Sequence, residues 1–315
     1  VTRKIVFRNH QSPGDIIAMT RAVADLKRAH EDWQIDVRTS CPEVWEHCPF
    51  LTPLDPKDKE VEYYDIGYGM PADKNNGVAT GIHKSGWYGQ HFTDAWHEDI
   101  ELVLGETYPK TSYKPELWIG AIEKTWYNQV HCEFGWDGPF WILNAGRKQD
   151  NELKQYHRWP EVAKLFNATF GSKVKLVQIG HRSHVHPELG HRVLNLVGKT
   201  DLRQLIRLAY WAEGTIGPLS LQFMLAAALE KPHVVVAGGK EGVPWQLYPN
   251  GRYLYTNGAL PCCKWDGCWL GGAKGQCKNL VLDCGHHVPK CFTLIKPHDI
   301  VNAVKMYYEG GVLRA

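Results

Sequence analysis

The chain has 315 residues, of which 43% are hydrophobic and 22% charged, with a formal net charge of +2. That length suits two domains of roughly 150 residues better than one small core. The near-balanced charge offers no global basic field for nucleic acid or an anionic membrane, and no stretch approaches the ~18–20 apolar residues of a membrane span.

Lys4–Phe7 reads as a short apolar strand entered from a charged turn rather than a secretory signal, followed by the turn Asn9-His10-Gln11-Ser12-Pro13-Gly14-Asp15. The spacing Ile16, Met19, Ala22, Val23, Leu26 predicts a helix to about His30, and Gln34–Thr39 alternates as a second strand. This order is a βαβ unit opening a parallel sheet. From about Cys41 to Gly120 the pattern is irregular, with the aromatic, glycine-rich run Gly86-Trp87-Tyr88-Gly89-Gln90-His91-Phe92 fitting a cleft loop or simple filler. Gly135, Gly138 and Pro139 break the periodicity, dividing residues 1–135 from residues 136–315.

The second part repeats the theme. Strands are predicted at Phe140–Asn144, Val174–Ile179, Gly214–Gly217 and Val234–Ala237, and helices at Trp159–Phe166, Leu202–Ala212, Leu221–Leu229 and Pro297–Tyr308. Alternating strands and helices with glycine at strand ends give an α/β, doubly wound reading, in which ligands sit beyond the carboxyl ends of the strands. Two such halves leave a cleft between them.

Asp15, beside Gly14 at the mouth of the first helix, is an N-cap candidate. The phrase Ile216-Gly217-Pro218-Leu219-Ser220-Leu221-Gln222 reads as strand, tight turn and helix start, where free N–H groups and the helix dipole suit a diphosphate without a metal. Ser220 there is either a phosphate donor or an ordinary cap. Arg147, Lys154, His157 and Arg158 are bases able to balance a leaving diphosphate, or solvated surface groups. Thirteen Trp and fourteen Tyr serve equally as sugar platforms and as core.

Six of the nine cysteines fall between Cys262 and Cys291, unlike a disulfide framework spread through a secreted domain. Four thiolates would take a tetrahedral iron or zinc ion. Without compact CxxC pairs the set stays open: four of Cys263, Cys268, Cys277, Cys284 and Cys291, or Cys262 in place of one. Disulfides or buried free thiols are the other reading.

Three phrases together resemble one family. Arg8-Asn9-His10-Gln11-Ser12-Pro13-Gly14-Asp15-Ile16-Ile17 is similar to the opening of glycosyltransferase family 9, the bacterial heptosyltransferases. Asn195-Leu196-Val197-Gly198-Lys199-Thr200-Asp201-Leu202, followed by Ile216–Pro232, resembles that family's donor region, and His157-Arg158-Trp159-Pro160 its Lys-x-Trp-Pro element. The cysteine-rich segment 262–291 resembles the iron finger of autotransporter heptosyltransferases.

The resemblance implies a GT-B fold: two Rossmann-like domains facing across a cleft, with residues 1–135 on the acceptor side and 136–315 binding the nucleotide sugar. It implies inverting transfer of heptose or a related sugar, with Asp15 as general base. Donor contacts would come from Asn144, Gly146, Arg147, Lys154, His157, Arg158, Gly180, His181, Lys199, Thr200, Gly217, Ser220, Leu221 and Gln222. An ADP-sugar donor, an acceptor glycan, protein or other hydroxyl, a structural iron or zinc ion and no catalytic metal follow from it. So does a cytoplasmic location, or one peripheral to the inner membrane. Leu219, Leu221 and Met224 stand where the family usually carries Asp, Gly and His. Two other readings are a GT-B epimerase or phosphorylase drawing acid–base groups from His181–His191, and a non-catalytic sugar-binding scaffold.

Overall fold

A computed structural model describes residues 2–67, 90–148, 154, 156–264, 267–268 and 277–314. The run Gly86–Gly89 lies outside them. In the first half, β1 (Lys4–Asn9), β2 (Gln34–Thr39) and β3 (Val61–Asp65) form a parallel sheet of order β2-β1-β3, with Lys4 opposite both Gln34 and Val61. Ile5, Val6 and Phe7 are fully buried, as a central parallel strand covered on both faces requires. Helix α1 (Pro13–Ala29) begins at Pro13, whose fixed φ suits a first helical position, and every residue from Ile16 to Leu26 is buried. The helix lies between layers, and the two charged side chains in that buried stretch, Arg21 and Asp25, pair with each other (3.2 Å). It packs on its own sheet, on α2 (Phe92–Leu104) and on a helix of the second half.

The second half continues with α3 (Gln129–Phe134), β4 (Phe140–Asn144), α4 (Trp159–Phe170), β5 (Lys175–Ile179), β6 (Leu194–Asn195), α5 (Leu202–Trp211), β7 (Gly214–Gly217) and α6 (Leu221–Ala228). It ends with β8 (His233–Gly238), β9 (Gly251–Tyr255), an antiparallel hairpin of β10 (Leu280–Asp283) and β11 (His286–Pro289), α7 (Lys290–Thr293) and α8 (Pro297–Glu309). Its main sheet is all parallel, in the order β6-β5-β4-β7-β8-β9. The chain therefore winds outward in both directions from the β4/β7 pair, and a sheet built this way opens a crevice at that switch point. One apolar core, from Trp141 through Phe166 to Val304, joins this sheet to α4 and α8. The other runs without a break from Ile5 and Ile16 to Phe223 and Val235, so the two sheets share it.

Polar groups fasten the halves as well. Arg203 on α5, 6% exposed, donates from Nε to Glu123 Oε1 (2.8 Å) and from its terminal nitrogens to the carbonyls of Trp118 (2.8 Å) and Glu43 (3.1 Å). Its hydrogen bonds pull the buried Glu123 carboxyl down to about 2.

The structure corrects the reading of residues 41–120 as irregular. Strand β3 was hidden because its sequence, Val-Glu-Tyr-Tyr-Asp, is that of a half-exposed edge strand paired only to β1. In α2 the buried series Phe92, Trp96, Ile100 keeps a four-residue spacing that escaped notice beside the glycine-rich run. No described helix is long and apolar enough to cross a membrane.

Candidate active site

A cavity of about 470 Å³ opens between the two halves, at the carboxyl ends of β1, β4, β5 and β7. This is where parallel sheets leave strand ends and helix starts facing solvent together. From the first half Ser12–Asp15 and Phe92 face it; from the second come Asn144, Ile179–His181 and Leu219–Met224.

Asp15 lies at the third position of α1, and the N-cap is Ser12, so the carboxylate is not itself the cap. It nevertheless turns back on that cap: Oδ2 accepts from the Ser12 N–H (3.2 Å) and hydroxyl (2.5 Å). Oδ1 accepts no hydrogen bond among the described residues. Burial raises the Asp15 carboxyl above its ordinary value, against the opposing pull of the Ser12 hydrogen bonds. Gly14 sits against the second half, where a Cβ would make only ordinary contacts with Met224 (3.7 Å) and the Leu221 nitrogen (4.0 Å).

Opposite stands the start of α6. Ser220 is its exposed N-cap residue and its side chain makes no capping bond. Gln222, 1% exposed, accepts from Asn144 Nδ2 (3.0 Å) and donates to the Pro218 carbonyl (2.5 Å), tying the β4 and β7 ends together. Gly217 is needed in that knot, because a Cβ would come within 2.6 Å of Gln222 Nε2. A third helix start, that of α5, lines the cavity through Thr200–Leu202 but is closed: Asp201 accepts from the Gln204 N–H (2.7 Å) and Gln204 from the Asp201 N–H (3.0 Å). Lys154 also faces the cavity and is ion-paired with Glu241, which is 3% exposed.

Of the residues singled out in the sequence, the cavity brings together Asp15, Asn144, Lys154, Gly180, His181, Thr200, Ser220, Leu221 and Gln222. The others lie behind it or away from it. Gly146 packs against the His186 ring, and Arg147 bridges Val185 through its backbone (2.8 and 3.0 Å). His157 and Arg158 turn to Asp283 in the hairpin, at 2.8 and 2.6 Å. Lys199 pairs with Glu133 at 2.6 Å.

Lys148 and Gln246, not singled out in the sequence, also line the cavity, as do Phe92, His184 and Asp201, which were read only as parts of longer runs. Asp201-x-x-Gln204 was a legible capping box. Gln246 carried no signal, since it ends a single 3-10 turn, Val243–Gln246, too short to show a period. Its Oε1 is shielded and has no partner among the described residues.

Cys262, Cys263, Cys268, Cys277 and Cys291 surround a separate void of about 20 Å³, together with Lys240 and Lys290. Cys284 does not join them. It is exposed in the β10–β11 turn at φ +50°, beside Asp283. All the cysteines are free thiols, and sulfur is the donor iron and zinc take, but among the described residues no three of these five sulfurs lie within 4.8 Å of one another.

No protein-family model matches the sequence, and no curated protein matches it. Solved structures do. E. coli ADP-heptose LPS heptosyltransferase II is 13% identical with a TM-score of 0.65, over 98% of this chain and all (100%) of that one. A family 9 glycosyl transferase from Veillonella parvula is 14% identical with a TM-score of 0.62, over 81% of this chain and 86% of its own. The dodecameric iron-containing heptosyltransferase TibC, in complex with ADP-D-β-D-heptose, is 14% identical with a TM-score of 0.64, over 98% of this chain and 78% of its own. At such identities the likeness is one of fold, and the chain has the two-sheet GT-B architecture of the family 9 heptosyltransferases.

Proposed function

We propose that the protein is an inverting glycosyltransferase, moving heptose or a related sugar from a nucleotide sugar, with an ADP-sugar favoured, to an acceptor hydroxyl. The observation that carries this reading is a carboxylate facing an uncapped helix start across one cavity, Asp15 against Ser220 and α6. Residues 1–135 are the acceptor-side domain in this proposal and residues 136–315 the donor-side domain. The ADP-heptose in the TibC complex supports the choice of donor nucleotide.

Asp15, with its carboxyl raised by burial against the pull of the Ser12 hydrogen bonds, is a stronger base than a solvated carboxylate. Its Oδ1 takes the acceptor hydroxyl proton while Ser12 holds Oδ2. The acceptor oxygen forms its bond to the anomeric carbon as the bond from that carbon to the diphosphate breaks, with the electron pair leaving on the phosphate oxygen. That charge falls on the N–H groups at the start of α6, the Ser220 hydroxyl and Lys154. Among the thiols, four of Cys262, Cys263, Cys268, Cys277 and Cys291 would hold an iron or zinc ion, which supplies a cross-link between loops and no step of the transfer; iron in TibC supports this.

The test is turnover and binding of ADP-heptose by wild type and by Asp15→Asn. The variant is expected to bind the nucleotide sugar within a few-fold of wild type and to transfer about 10²–10⁴-fold more slowly. Unchanged turnover would remove Asp15 from the mechanism, and a wild-type protein that binds the donor without consuming it with any hydroxyl acceptor would make it a sugar-binding scaffold.

A further inference from the structure

We infer that Glu241 is a positioning residue: it holds Lys154 in the cavity and is itself held by the cysteine-rich segment, so the packing of that segment sets the strength of diphosphate binding. This rests on the proposed reading of the cavity as a donor site.

Three consecutive residues after β8 join the two centres. Lys240, 5% exposed, lines the void among the thiols. Its neighbour Glu241, 3% exposed, pairs instead with Lys154 at the edge of the donor cavity. The backbone between them is clamped from the cysteine side. The Cys268 N–H is shared between the carbonyls of Gly239 (3.1 Å) and Lys240 (2.9 Å). Gly267, at φ +75°, lies so close that a Cβ would overlap the Lys240 carbonyl. A Cβ on Gly239 would come within 2.6 Å of Cys263 Cβ. Asn257 Nδ2 donates to the carbonyls of both Glu241 and Lys264, each at 3.0 Å.

A buried carboxylate needs its counter-charge, so where Glu241 goes the lysine ammonium follows. Oε2 of Glu241 has no hydrogen-bond partner among the described residues, which leaves Lys154 as the one ion pair recorded for this carboxylate there. The pair also reaches the opposite wall, where Lys154 lowers and Glu241 raises the Asp15 carboxyl. A shift of the thiol-lined segment therefore moves a cation that the proposed donor diphosphate would meet.

The experiment titrates ADP, as the probe, into the full-length protein by calorimetry. Glu241→Gln and Lys154→Ala are each expected to weaken ADP by about tenfold, the scale of one charge-assisted hydrogen bond. The double variant should bind no more weakly than Lys154→Ala alone, and Glu241→Asp should recover part of the loss. Gly267→Ala should weaken ADP in the wild-type background and not in Lys154→Ala; Asn257→Ala gives the same comparison if Gly267→Ala does not fold. Melting temperatures of Glu241→Gln and wild type are expected to agree within about 4 °C, the effect of about 1 kcal/mol or less. Wild-type ADP affinity in Glu241→Gln, or losses that multiply in the double variant, would overturn the inference while leaving the donor site intact. A wild-type protein that binds no nucleoside diphosphate would overturn the site reading, and the inference with it.

Discussion

The starts of α1 and α6 face one another across the same cavity and both open with serine, yet they are finished in opposite ways. At α1 the protein supplies its own anion: Asp15 folds back onto Ser12 and occupies the positive end of the helix. At α6 Ser220 makes no capping bond, and the helix start is left to whatever enters. The start of α5, beside them, is closed on both sides by Asp201 and Gln204. Equal backbone dipoles thus serve three ends, and the side chains decide whether an end is closed by the chain's own carboxylate, as at α1 and α5, or left open, as at α6.

The sharpest break of that contrast is Asp15→Asn, which keeps the Ser12 contacts in shape and removes the proposed base. Turnover should fall about 10²–10⁴-fold with little change in donor affinity, read by steady-state kinetics and calorimetry. Next is Arg203→Ala, which frees α5 and its capped end from the first half. Buried Glu123 would keep His47 (3.2 Å) and Arg207 (3.6 Å) but lose its closest partner, at a cost of about 1–3 kcal/mol in chemical denaturation. The pH dependence carries a signature of the same pair. Glu123 is held near 2 when folded and titrates near 4.5 otherwise, so its contribution is complete above about 4.5 and lost as pH falls toward 2. Arg203→Ala should flatten that part of the stability curve.

Ser220→Asp converts the open end into a closed one. It should weaken ADP by about 10–100-fold through like-charge repulsion while raising helix stability by roughly 0.5–2 kcal/mol, so affinity and melting temperature move in opposite directions. Affinity unchanged in this variant would put the diphosphate elsewhere. Gly14→Ala should do least. Its new methyl meets only ordinary contacts near Met224 and Leu221, and stability should change by no more than about 1 kcal/mol.

How much of this was written in the chain depends on how local each feature is. The β1–α1–β2 unit and β4, α4, β5, α5, β7, α6, β8 and α8 follow periodicities of two and 3.6, and their boundaries fell within a few residues. The short β6, the edge strand β9, the β10–β11 hairpin and the one-turn α7 were not read from the sequence. The start of α6 was legible because strand, glycine, serine and apolar helix stand in one short phrase. Lys154 was nominated as a base, but its carboxylate partner is 87 positions away in the loop after β8, and no local pattern announces a pair brought together by a sheet. His157 and Arg158 sit in a phrase that looked like donor chemistry and are taken up by Asp283, again a partner distant in the chain. Cys284 shares the composition of its neighbours and not their place, because the β10–β11 turn carries it outward.

The His186 ring has a wider consequence. It fills the room above both Gly146 and Gly180, where a Cβ at either would overlap it, and it is pinned by a 2.9 Å contact to the His181 carbonyl. A side chain at either glycine would therefore require the His186 ring to move aside. A lineage that replaced either glycine would have to displace that imidazole, so drift at the floor of the cavity is coupled across Gly146, Gly180 and His186 even though only Gly180 of the three touches the cavity itself.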